Sequence, residues 1–474
     1  AKSAVTLFST VNFEIPIQLI NLRSYVLAVK PATIGSKIMF NEQEIRSQLK
    51  ICVKCGKCLT RCPVYRETRD EKVVARGKIS LAQAYLEGEI GLSETLARAA
   101  AECLYCLNCQ DSCPNGIPMD MIIPFLRKTT AYHSKITATT HNIITKTVAK
   151  SGHVRQFARA ASIVSRLLAR QIPPERGIHL KLSLPNFPSR RLLPGLAQTS
   201  FVESIPEMNN LQAGKKTIAF FVGCLHNYLD VPTGLATLRV LNKMGYDVWI
   251  PKNQTCCGLP FLSAGMDEAY RRLAEQNREV FSPHTTEIVT TCPSCATTIR
   301  KHYQTLGTTG AVMARGVVDL STFLWEHRSE LEAVLSPGSI TEFATYHDPC
   351  HLAHGLDVRH QPRALLKLLY QDNFMELSQA DRCCGGGGSF SLTHYDLSQK
   401  ICASKVKNIA AWKVKVQAKN RASQQKQNSS LTEKTRVVTA CPLCEIQLRD
   451  ALKNNNVNVA VTHLADEIAR HLKP

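Results

Sequence analysis

The strongest constraint on what this chain can fold into is a pair of cysteine runs near its N-terminus that share one spacing. They are Cys52-x2-Cys55-x2-Cys58-x3-Cys62-Pro63 and Cys103-x2-Cys106-x2-Cys109-x3-Cys113-Pro114. The first three thiolates of a run can wrap one face of a [4Fe–4S] cubane, and the fourth, which precedes a proline that turns the chain away, reaches a second cubane. Structural zinc, the alternative, is usually bound by two CxxC pairs and not by three evenly spaced cysteines.

The two runs therefore predict two cubane sites that exchange their fourth ligands. The first ferredoxin site contains Cys52, Cys55, Cys58 and Cys113, and the second ferredoxin site contains Cys103, Cys106, Cys109 and Cys62. Between the runs, apolar residues recur at helical spacing and Gly88 and Gly91 mark a turn, which predicts two helices within Val73–Glu102. With this helical spacer, residues 46–130 resemble the α-helical ferredoxin domain of succinate dehydrogenase and its relatives.

The cysteine content favours metal binding over disulfides. The 474 residues include 19 cysteines, an odd number, and the adjacent pairs Cys256–Cys257 and Cys383–Cys384 are awkward to bridge within themselves. In a long intracellular chain, such a supply of thiols more often binds metal. The formal charge of +20 overstates the basicity of the loaded protein, because ligating cysteines are thiolates and the clusters are negative. No basic tract is interleaved with aromatic residues, so nucleic-acid binding is not expected.

The sequence shows neither a membrane span nor an export signal. Every apolar stretch longer than a strand is broken by charge or proline. The first residues lack a basic segment followed by an apolar one and a cleavage site. We therefore expect a cytoplasmic protein. A predicted amphipathic helix, Val154–Gln171, has a basic face that would suit an anionic membrane or an acidic partner, so peripheral contact with the inner membrane face is an additional prediction.

The second half of the chain is an internal repeat of a five-cysteine pattern. The first CCG site comprises Cys224, Cys256, Cys257, Cys292 and Cys295, and the second CCG site comprises Cys350, Cys383, Cys384, Cys441 and Cys444. The second copy is 22 residues longer between its double cysteine and its last pair, and the polar segment Lys413–Lys434 predicts an exposed helix extension or loop there. We place an N-terminal extension at residues 1–45, a helical and proline-rich connector at 131–215, and the two copies at 216–335 and 340–474.

Each copy alternates short apolar strands with helices, which predicts α/β units. In the first copy the strands are predicted at Thr217–Val222, Val248–Pro251 and Glu287–Thr290, and the helices at Leu235–Met244 and Met266–Val280. The cysteines follow strands, so the thiols should collect beyond the carboxyl ends of a sheet, where open α/β folds form their binding crevices. Gly385–Gly388 is not a phosphate loop, because no Gly-Lys-Ser/Thr follows it.

In combination, these motifs resemble the CCG domains of heterodisulfide reductase catalytic subunits. They also resemble the iron–sulfur subunits of glycolate, lactate and anaerobic glycerol-3-phosphate dehydrogenases. Further local similarities are Arg76–Leu81, Leu86–Gly88 and His347–Leu352. The resemblance covers residues 46–465. It implies an α+β multidomain protein, in which an α-helical ferredoxin domain with two [4Fe–4S] cubanes is followed by two tandem α/β CCG domains.

The resemblance also implies the remaining cofactors. In heterodisulfide reductase, five cysteines of a CCG domain bind a noncubane [4Fe–4S] cluster, and both copies here retain all five. One or two such clusters are expected, and an ordinary cubane or a vacant copy remains an alternative. Cys402 belongs to no set and is predicted to be a buried apolar thiol. For the histidines near the first cysteine of each copy, packing or capping is favoured over proton transfer or tuning of a cluster. These are His226, His347, His351 and His354.

No Gly-x-Gly-x-x-Gly follows a strand, so substrate oxidation is expected on another polypeptide. The resemblance implies an iron–sulfur electron-transfer subunit of a flavin-dependent 2-hydroxy-acid (lactate or glycolate) dehydrogenase complex. Such a subunit relays electrons between a partner FAD-containing subunit and a quinone or another carrier. The alternative is a heterodisulfide-reductase-like catalytic subunit that binds a disulfide substrate at Cys256–Cys257 or Cys383–Cys384.

Overall fold

The cysteine motifs are distributed over a helical N-terminal part and two small parallel sheets. The computed structural model describes residues 41–131, 169–171, 178–180, 188, 191–209, 216–282, 287–336, 342–427 and 435–474. Residues 169–171, 178–180 and 422–427 are described in their backbone alone. All 19 cysteines lie within these ranges.

The N-terminal part of the described chain is helical. Its helices are Glu42–Lys50, Lys57–Arg61, Pro63–Thr68, Ala75–Leu86, Glu94–Ala101, Asn108–Asp111 and Met119–Thr130, with a 3₁₀ turn at Glu71–Val73. The two helices predicted between the cysteine runs are confirmed as Ala75–Leu86 and Glu94–Ala101. The second one begins where it does because the Ser93 hydroxyl accepts a hydrogen bond from the Leu96 amide and so caps its N-terminus.

These two spacer helices bury their apolar faces, on which Ile79 and Leu96 are almost fully enclosed. The helix Glu42–Lys50 packs on the first of them, where the Gln83 side-chain amide donates to the Leu49 carbonyl at 3.1 Å. The predicted boundary at residue 45 falls inside this helix. Residues 1–40, which make up most of the predicted N-terminal extension, lie outside the described residues.

The described strands form three sheets. They are β1 (Ala169–Gln171), β2 (Ile178–Leu180), β3 (Met208–Asn209), β4 (Thr217–Phe220), β5 (Asp247–Trp249), β6 (Ile288–Thr290), β7 (Val317–Asp319), β8 (Phe343–His347), β9 (Thr435–Thr439) and β10 (Ala460–His463). The order is β3-β5-β4-β6-β7 in the sheet of the first copy, which is parallel except for β3, and β10-β9-β8 in the parallel sheet of the second copy. Strands β1 and β2 pair antiparallel.

Helices connect these strands and cover the sheets. In the first copy and the segment before it they are Phe201–Ser204, Gly223–Tyr228, Val231–Lys243, Leu259–Ser263, Asp267–Phe281, Pro293–His302, Gly307–Gly316, Leu320–Glu326 and Arg328–Val334. In the second copy they are His360–Tyr370, Phe390–Thr393, Tyr395–Gln427, Pro442–Asn454 and Leu464–Arg470, with a π-helical turn at His351–Gly355. The strands and helices predicted for the first copy are confirmed, with limits that shift by a few residues.

Three strands correspond between the two copies, because β4, β6 and β7 occupy the places that β8, β9 and β10 occupy in the second copy. The copies also share a core. Phe220 and Val240 of the first copy and Tyr346 and Ile468 of the second belong to one continuous buried apolar cluster. The duplicated halves therefore stabilise each other by burying apolar surface between them.

One secondary-structure prediction is wrong where it can be examined. The predicted helix Val154–Gln171 lies outside the described residues up to position 168, and its last three residues form strand β1, paired with β2. Pro173 and Pro174 favour the end of a helix before them, because the residue that precedes proline is disfavoured in the helical conformation. Residues 169–171 instead form ladder hydrogen bonds with residues 178–180. Most of the proline-rich connector likewise lies outside the described residues.

The polar insertion was predicted to form either a helix extension or a loop, and its first part extends a helix. The helix Tyr395–Gln427 runs through its first part, and residues 428–434 lie outside the described residues. Trp412 anchors the helix just before the insertion by donating its indole N–H to the Met375 carbonyl at 2.9 Å. Within the ranges given above, no helix combines the length and the apolar character that crossing a bilayer requires.

Candidate iron–sulfur centres

The cysteines predicted for the first ferredoxin site line one cavity at the surface. Cys52, Cys55 and Cys58 of the first run form its wall together with Cys113 and Cys109 of the second run. Cys55 is exposed to solvent. The structure thus brings Cys113 to the three cysteines that begin the other run, which is the arrangement that an exchanged fourth ligand requires.

The cysteines predicted for the second ferredoxin site line a neighbouring cavity, whose walls include Cys62, Cys103, Cys106 and Cys109. Burial raises the pKa of the Cys106 and Cys109 thiols, and the negative charge of the neighbouring cysteines adds to this shift. Because Cys109 lines both cavities, the two ferredoxin sites are adjacent.

Both runs curl around their cavities by the same backbone conformation. Lys54 and Tyr105, at equivalent positions of the two runs, have φ angles of 55° and 54°. Gly56 and Leu107, two residues further on in each run, have φ angles of 80° and 61°. This left-handed region is uncommon for residues other than glycine, so three such residues held in it indicate that the surrounding structure imposes the loop. The curl turns the three spaced cysteines of each run toward one point.

Two cationic side chains lie beside the second ferredoxin site. The Lys78 ammonium is 2% exposed and donates to the carbonyls of Val73 and Glu102. The half-buried Arg127 guanidinium donates to backbone carbonyls, including that of Cys103 at 2.6 Å. Burial lowers the pKa of both cations, and the negative sulfur of Cys103 is the first of the influences that oppose it. Within the described residues, neither cation forms an ion pair with a carboxylate. Their charge is therefore available to stabilise a negative cluster.

Replacing Lys78 with methionine is expected to lower the reduction potential of the second ferredoxin cluster. The expected shift is about 100 mV, the effect of one unit charge roughly 8 Å away at an effective dielectric constant of ~20. Removing a positive charge disfavours the reduced state, which is the more negative one. EPR-monitored redox titration measures the shift. Lys405→Met, which removes the buried lysine of the second CCG copy, should leave this potential in place, and an unchanged potential in Lys78→Met would contradict the assignment.

The five cysteines predicted for the first CCG site converge at the carboxyl ends of β4 and β6. Hydrogen bonds between their sulfurs connect them in the order Cys224, Cys256, Cys257, Cys295 and Cys292. A Cβ atom on Gly223 would lie 3.0 Å from the Cys295 sulfur. A side chain at this position would therefore crowd the sulfurs, and glycine avoids this contact. Hydrogen bonds from Cys256 and Cys295 lower the pKa of Cys257 to about 6, and hydrogen bonding with Cys295 lowers that of Cys292 to about 6.

The second CCG site repeats this arrangement at the carboxyl ends of β8 and β9. Its sulfurs are connected in the corresponding order, Cys350, Cys383, Cys384, Cys444 and Cys441. Hydrogen bonds from Cys383 and Cys444 hold the pKa of Cys384 well below its usual range. The two CCG sites therefore share both their cysteine spacing and the order in which their sulfurs contact one another.

The four cysteine sets fit thiolate ligation of iron–sulfur clusters. All 19 cysteines are free thiols, and each CCG set contains a thiol whose pKa its neighbours lower, so the charged form that binds metal is accessible. When bound, such a cluster accepts and passes on single electrons. Cys402 is fully buried in an apolar cluster with Cys384 and Cys444, which confirms its predicted burial.

The second ferredoxin site and the second CCG site are in direct contact. Cys62 and Cys106 of the former share one apolar cluster with Cys350 and Cys383 of the latter. A Cβ atom on Gly387, in the glycine run after the double cysteine, would lie 2.4 Å from the Leu104 side chain. The run therefore allows the backbone to approach the ferredoxin part closely, which is a use other than binding phosphate.

Three of the four histidines have structural partners, in line with the predicted packing and capping roles. His351 joins the domains, because its ring nitrogens lie 2.8 Å from the Tyr105 carbonyl and from the Ser294 hydroxyl. His354 pairs with Asp111 at 2.8 Å. His226 lies 3.4 Å from the Asp230 carboxylate. The fourth, His347, differs from them in that its ring lies among cysteine thiols.

Comparison with known protein families identifies three regions of this chain, which contain its four cysteine sets. A family described as a cysteine-rich domain, CCG, matches residues 218–300 and 344–449, and one described as a 4Fe–4S dicluster domain matches residues 48–117. The chain therefore contains one 4Fe–4S dicluster region and two CCG regions. The matches confirm the prediction of a dicluster [4Fe–4S] region followed by two CCG regions. The number and the noncubane type of the CCG clusters stay predictions.

This CCG-domain protein is similar to relatives with different names. It is 27% identical over 460 residues to the probable glycolate oxidase iron–sulfur subunit of Bacillus subtilis, covering 90% of this chain and 95% of that one. It is 26% identical over 259 residues to lactate utilization protein A 2 of Bacillus cereus, covering 54% of this chain and 98% of that one. It is 24% identical over 410 residues to one subunit of the fumarate reductase (CoM/CoB) of Methanothermobacter marburgensis, covering 86% and 69%.

Proposed function

We propose that the chain is the iron–sulfur electron-transfer subunit of a flavin-dependent 2-hydroxy-acid dehydrogenase complex of the lactate or glycolate type. It relays electrons between a partner FAD-containing subunit and a quinone or another carrier. The Bacillus subtilis relative, named for glycolate oxidase, supports this proposal because the similarity spans nearly the whole of both chains. The Bacillus cereus relative, named for lactate utilization, supports the same substrate class.

The continuity of the cysteine sets is the observation that carries the proposal. Cys109 lines both ferredoxin cavities, and Cys106 packs with Cys350 and Cys383 of the second CCG site in one apolar cluster. Electron tunnelling falls steeply with distance, so centres that carry electrons must stand close together. Clusters held by these sets would form a series that begins at the protein surface and ends inside the CCG half.

The surface end of this series has the character of a docking site. Val53, between two cysteines of the first ferredoxin site, is 68% exposed, and nearby Ile51 is 39% exposed. Lys54 and Lys57 are exposed beside them. Exposed apolar side chains within a basic rim suit a partner protein with an acidic rim around its own redox centre. We therefore place the contact with the flavoprotein at this site.

Replacing Val53 with serine is expected to weaken electron transfer from the partner without removing a cluster. The loss of apolar contact area should raise the KM for the partner several-fold and leave the iron content unchanged. Steady-state reduction of this chain at varied flavoprotein concentration measures the effect. Val414→Ser is the matched control, because Val414 is 64% exposed on a helix of the second copy. Equal KM values in both variants would place the docking site elsewhere.

The native complex provides the direct test of the partner. Purification of the full chain from its own cells under anaerobic conditions should yield a flavoprotein in fixed ratio to the iron–sulfur chain. The added 2-hydroxy acid should then bleach the flavin absorbance and the cluster absorbance together. A purified complex without any flavin-containing subunit would refute the proposal.

A second function rests on the double cysteines Cys256–Cys257 and Cys383–Cys384, each of which lies among the other thiols of its CCG site. Adjacent thiols at a redox centre suit disulfide cleavage, and the Methanothermobacter marburgensis relative is named as a subunit of fumarate reductase (CoM/CoB). In this case two electrons from the clusters and two protons convert one heterodisulfide into two thiols. Release of thiols from heterodisulfides by the reduced holoprotein, with a new cluster radical signal, would favour this function over the relay.

A further inference from the structure

His347 ends strand β8 and lies among the thiols of the second CCG site. One of its ring nitrogens and the sulfurs of Cys384 and Cys444 all lie within 4.8 Å of one another. The side chain is 1% exposed, and neither ring nitrogen has a hydrogen-bond partner within the described part of the chain. A buried imidazole without a partner is costly, so its position beside two thiols indicates a binding partner other than protein atoms.

The neighbours of His347 explain why no protein group satisfies it. The Asp348 carboxylate turns away to the Arg363 guanidinium, with oxygen–nitrogen distances of 2.8 and 2.6 Å. The Ala380 carbonyl, which is the backbone acceptor that faces the imidazole, already accepts hydrogen bonds from the Asp348 amide at 3.0 Å and from the Lys405 ammonium at 2.9 Å. Both nearby acceptors are therefore engaged, and the imidazole remains free to bind a metal.

Among its described residues, the first CCG site has no histidine nitrogen within 4.8 Å of two of its sulfurs. His226 is close enough to Cys292 to influence its pKa, but it lies 3.4 Å from the Asp230 carboxylate. At the position equivalent to His347, three residues before the first cysteine of the copy, the chain has Phe221. Phe221 is fully buried and packs against Phe281, with ring centroids 5.6 Å apart. The two sites thus match in their five thiols and differ in this one donor.

We propose that His347 supplies a nitrogen ligand to the iron of the cluster held at the second CCG site. This inference rests on the proposed presence of a cluster at that site. The second site then offers five sulfur donors and one nitrogen donor, whereas the first offers sulfur donors alone. Imidazole is a known iron ligand in iron–sulfur centres, where histidine in place of cysteine raises the reduction potential. The second CCG cluster, which lies next to the ferredoxin domain, should therefore have a higher reduction potential than the same cluster bound by cysteines alone.

The test uses the full-length holoprotein labelled with ¹⁵N-histidine and measures nitrogen coupling by pulsed EPR. The signal of the second CCG cluster is identified as the one that Cys444→Ala abolishes. That signal should show a strong ¹⁵N coupling, which the His347→Phe variant should lose while it keeps the thiols. His347→Asn, a smaller substitution, should also lose the coupling, so the result does not depend on how well phenylalanine packs. Cys402→Ala, which removes the nearby thiol outside the set, should retain it.

The outcomes separate this inference from the function on which it rests. A second-site cluster signal without ¹⁵N coupling would overturn the histidine ligand and leave the relay intact. If Cys444→Ala removes neither iron nor any cluster signal, the second copy holds no cluster, and the histidine ligand and the proposed series of centres both fail. A coupling that survives in His347→Phe would assign the nitrogen to another histidine and overturn the inference.

Discussion

Replacing Cys62 with serine is expected to abolish the cluster of the second ferredoxin site and to spare that of the first, although Cys62 belongs to the first cysteine run. Cys113→Ser should do the reverse. Each variant should lose about four iron atoms per chain, because a [4Fe–4S] cubane that lacks one of its four thiolates is not held stably. The physical reason lies in the cavities, since Cys62 lines one with Cys103 and Cys106, whereas Cys113 lines the other.

Iron and sulfide analysis with EPR of the reduced protein measures which cluster is lost. Cys103→Ser and Cys62→Ser should give the same spectrum, and Cys52→Ser should give the same spectrum as Cys113→Ser. Cys402→Ala is the control for loss of a buried thiol and should keep all of the iron. If Cys62→Ser and Cys52→Ser gave the same spectrum, the fourth ligands would not be exchanged between the runs.

Replacing Gly77 with alanine is expected to prevent the ferredoxin part from folding stably. A Cβ atom at this position would lie 1.9 Å from the Glu71 carbonyl oxygen and 3.0 Å from the Lys72 Cα. Both contacts are with backbone, so the 3₁₀ turn Glu71–Val73 would have to leave the helix Ala75–Leu86. We expect a cost of at least about 3 kcal/mol in the free energy of unfolding, above the usual range for overpacking by a flexible side chain.

Iron retained on purification and the temperature at which cluster absorbance is lost report the effect. Gly91→Ala is the matched control, because Gly91 lies in the turn between the spacer helices and a Cβ atom there meets nothing within 4 Å. That variant should behave like the parent protein. A Gly77→Ala protein with full iron content and unchanged thermal stability would mean that the turn and the helix are not packed as described.

The local structure was predictable from the sequence because its signals are short in range. The apolar spacing around Ile79 and Leu96 indicated the two spacer helices, and the repeated Cys-Cys-Gly indicated two related sheets. The strand after Leu168 was not predictable in this way, because its pairing with residues 178–180 depends on a contact across a proline pair and not on helical periodicity. Here tertiary pairing outweighed the amphipathic pattern.

The long-range features of the candidate sites had no local signal. Lys78 is buried beside the thiols of the second ferredoxin site, where it contacts the carbonyls of Val73 and Glu102. A lysine in a helix is otherwise an ordinary surface residue, so the sequence alone gives no sign of this burial. The contact of Cys106 with Cys350 likewise depends on how the domains pack. The sequence does contain a signal for His347. When the two copies are aligned on their cysteines, His347 occupies the position of Phe221, so the two cysteine sets match while this neighbouring residue differs.

The most direct test of the relay is rapid-freeze EPR of the native complex after addition of a 2-hydroxy acid. The proposal predicts that the ferredoxin cluster signals develop as the flavin is oxidised again, and that in Cys62→Ser electrons reach the first ferredoxin cluster and stop there. A flavin that is reduced by substrate while the clusters stay oxidised, although dithionite reduces them, would contradict the relay.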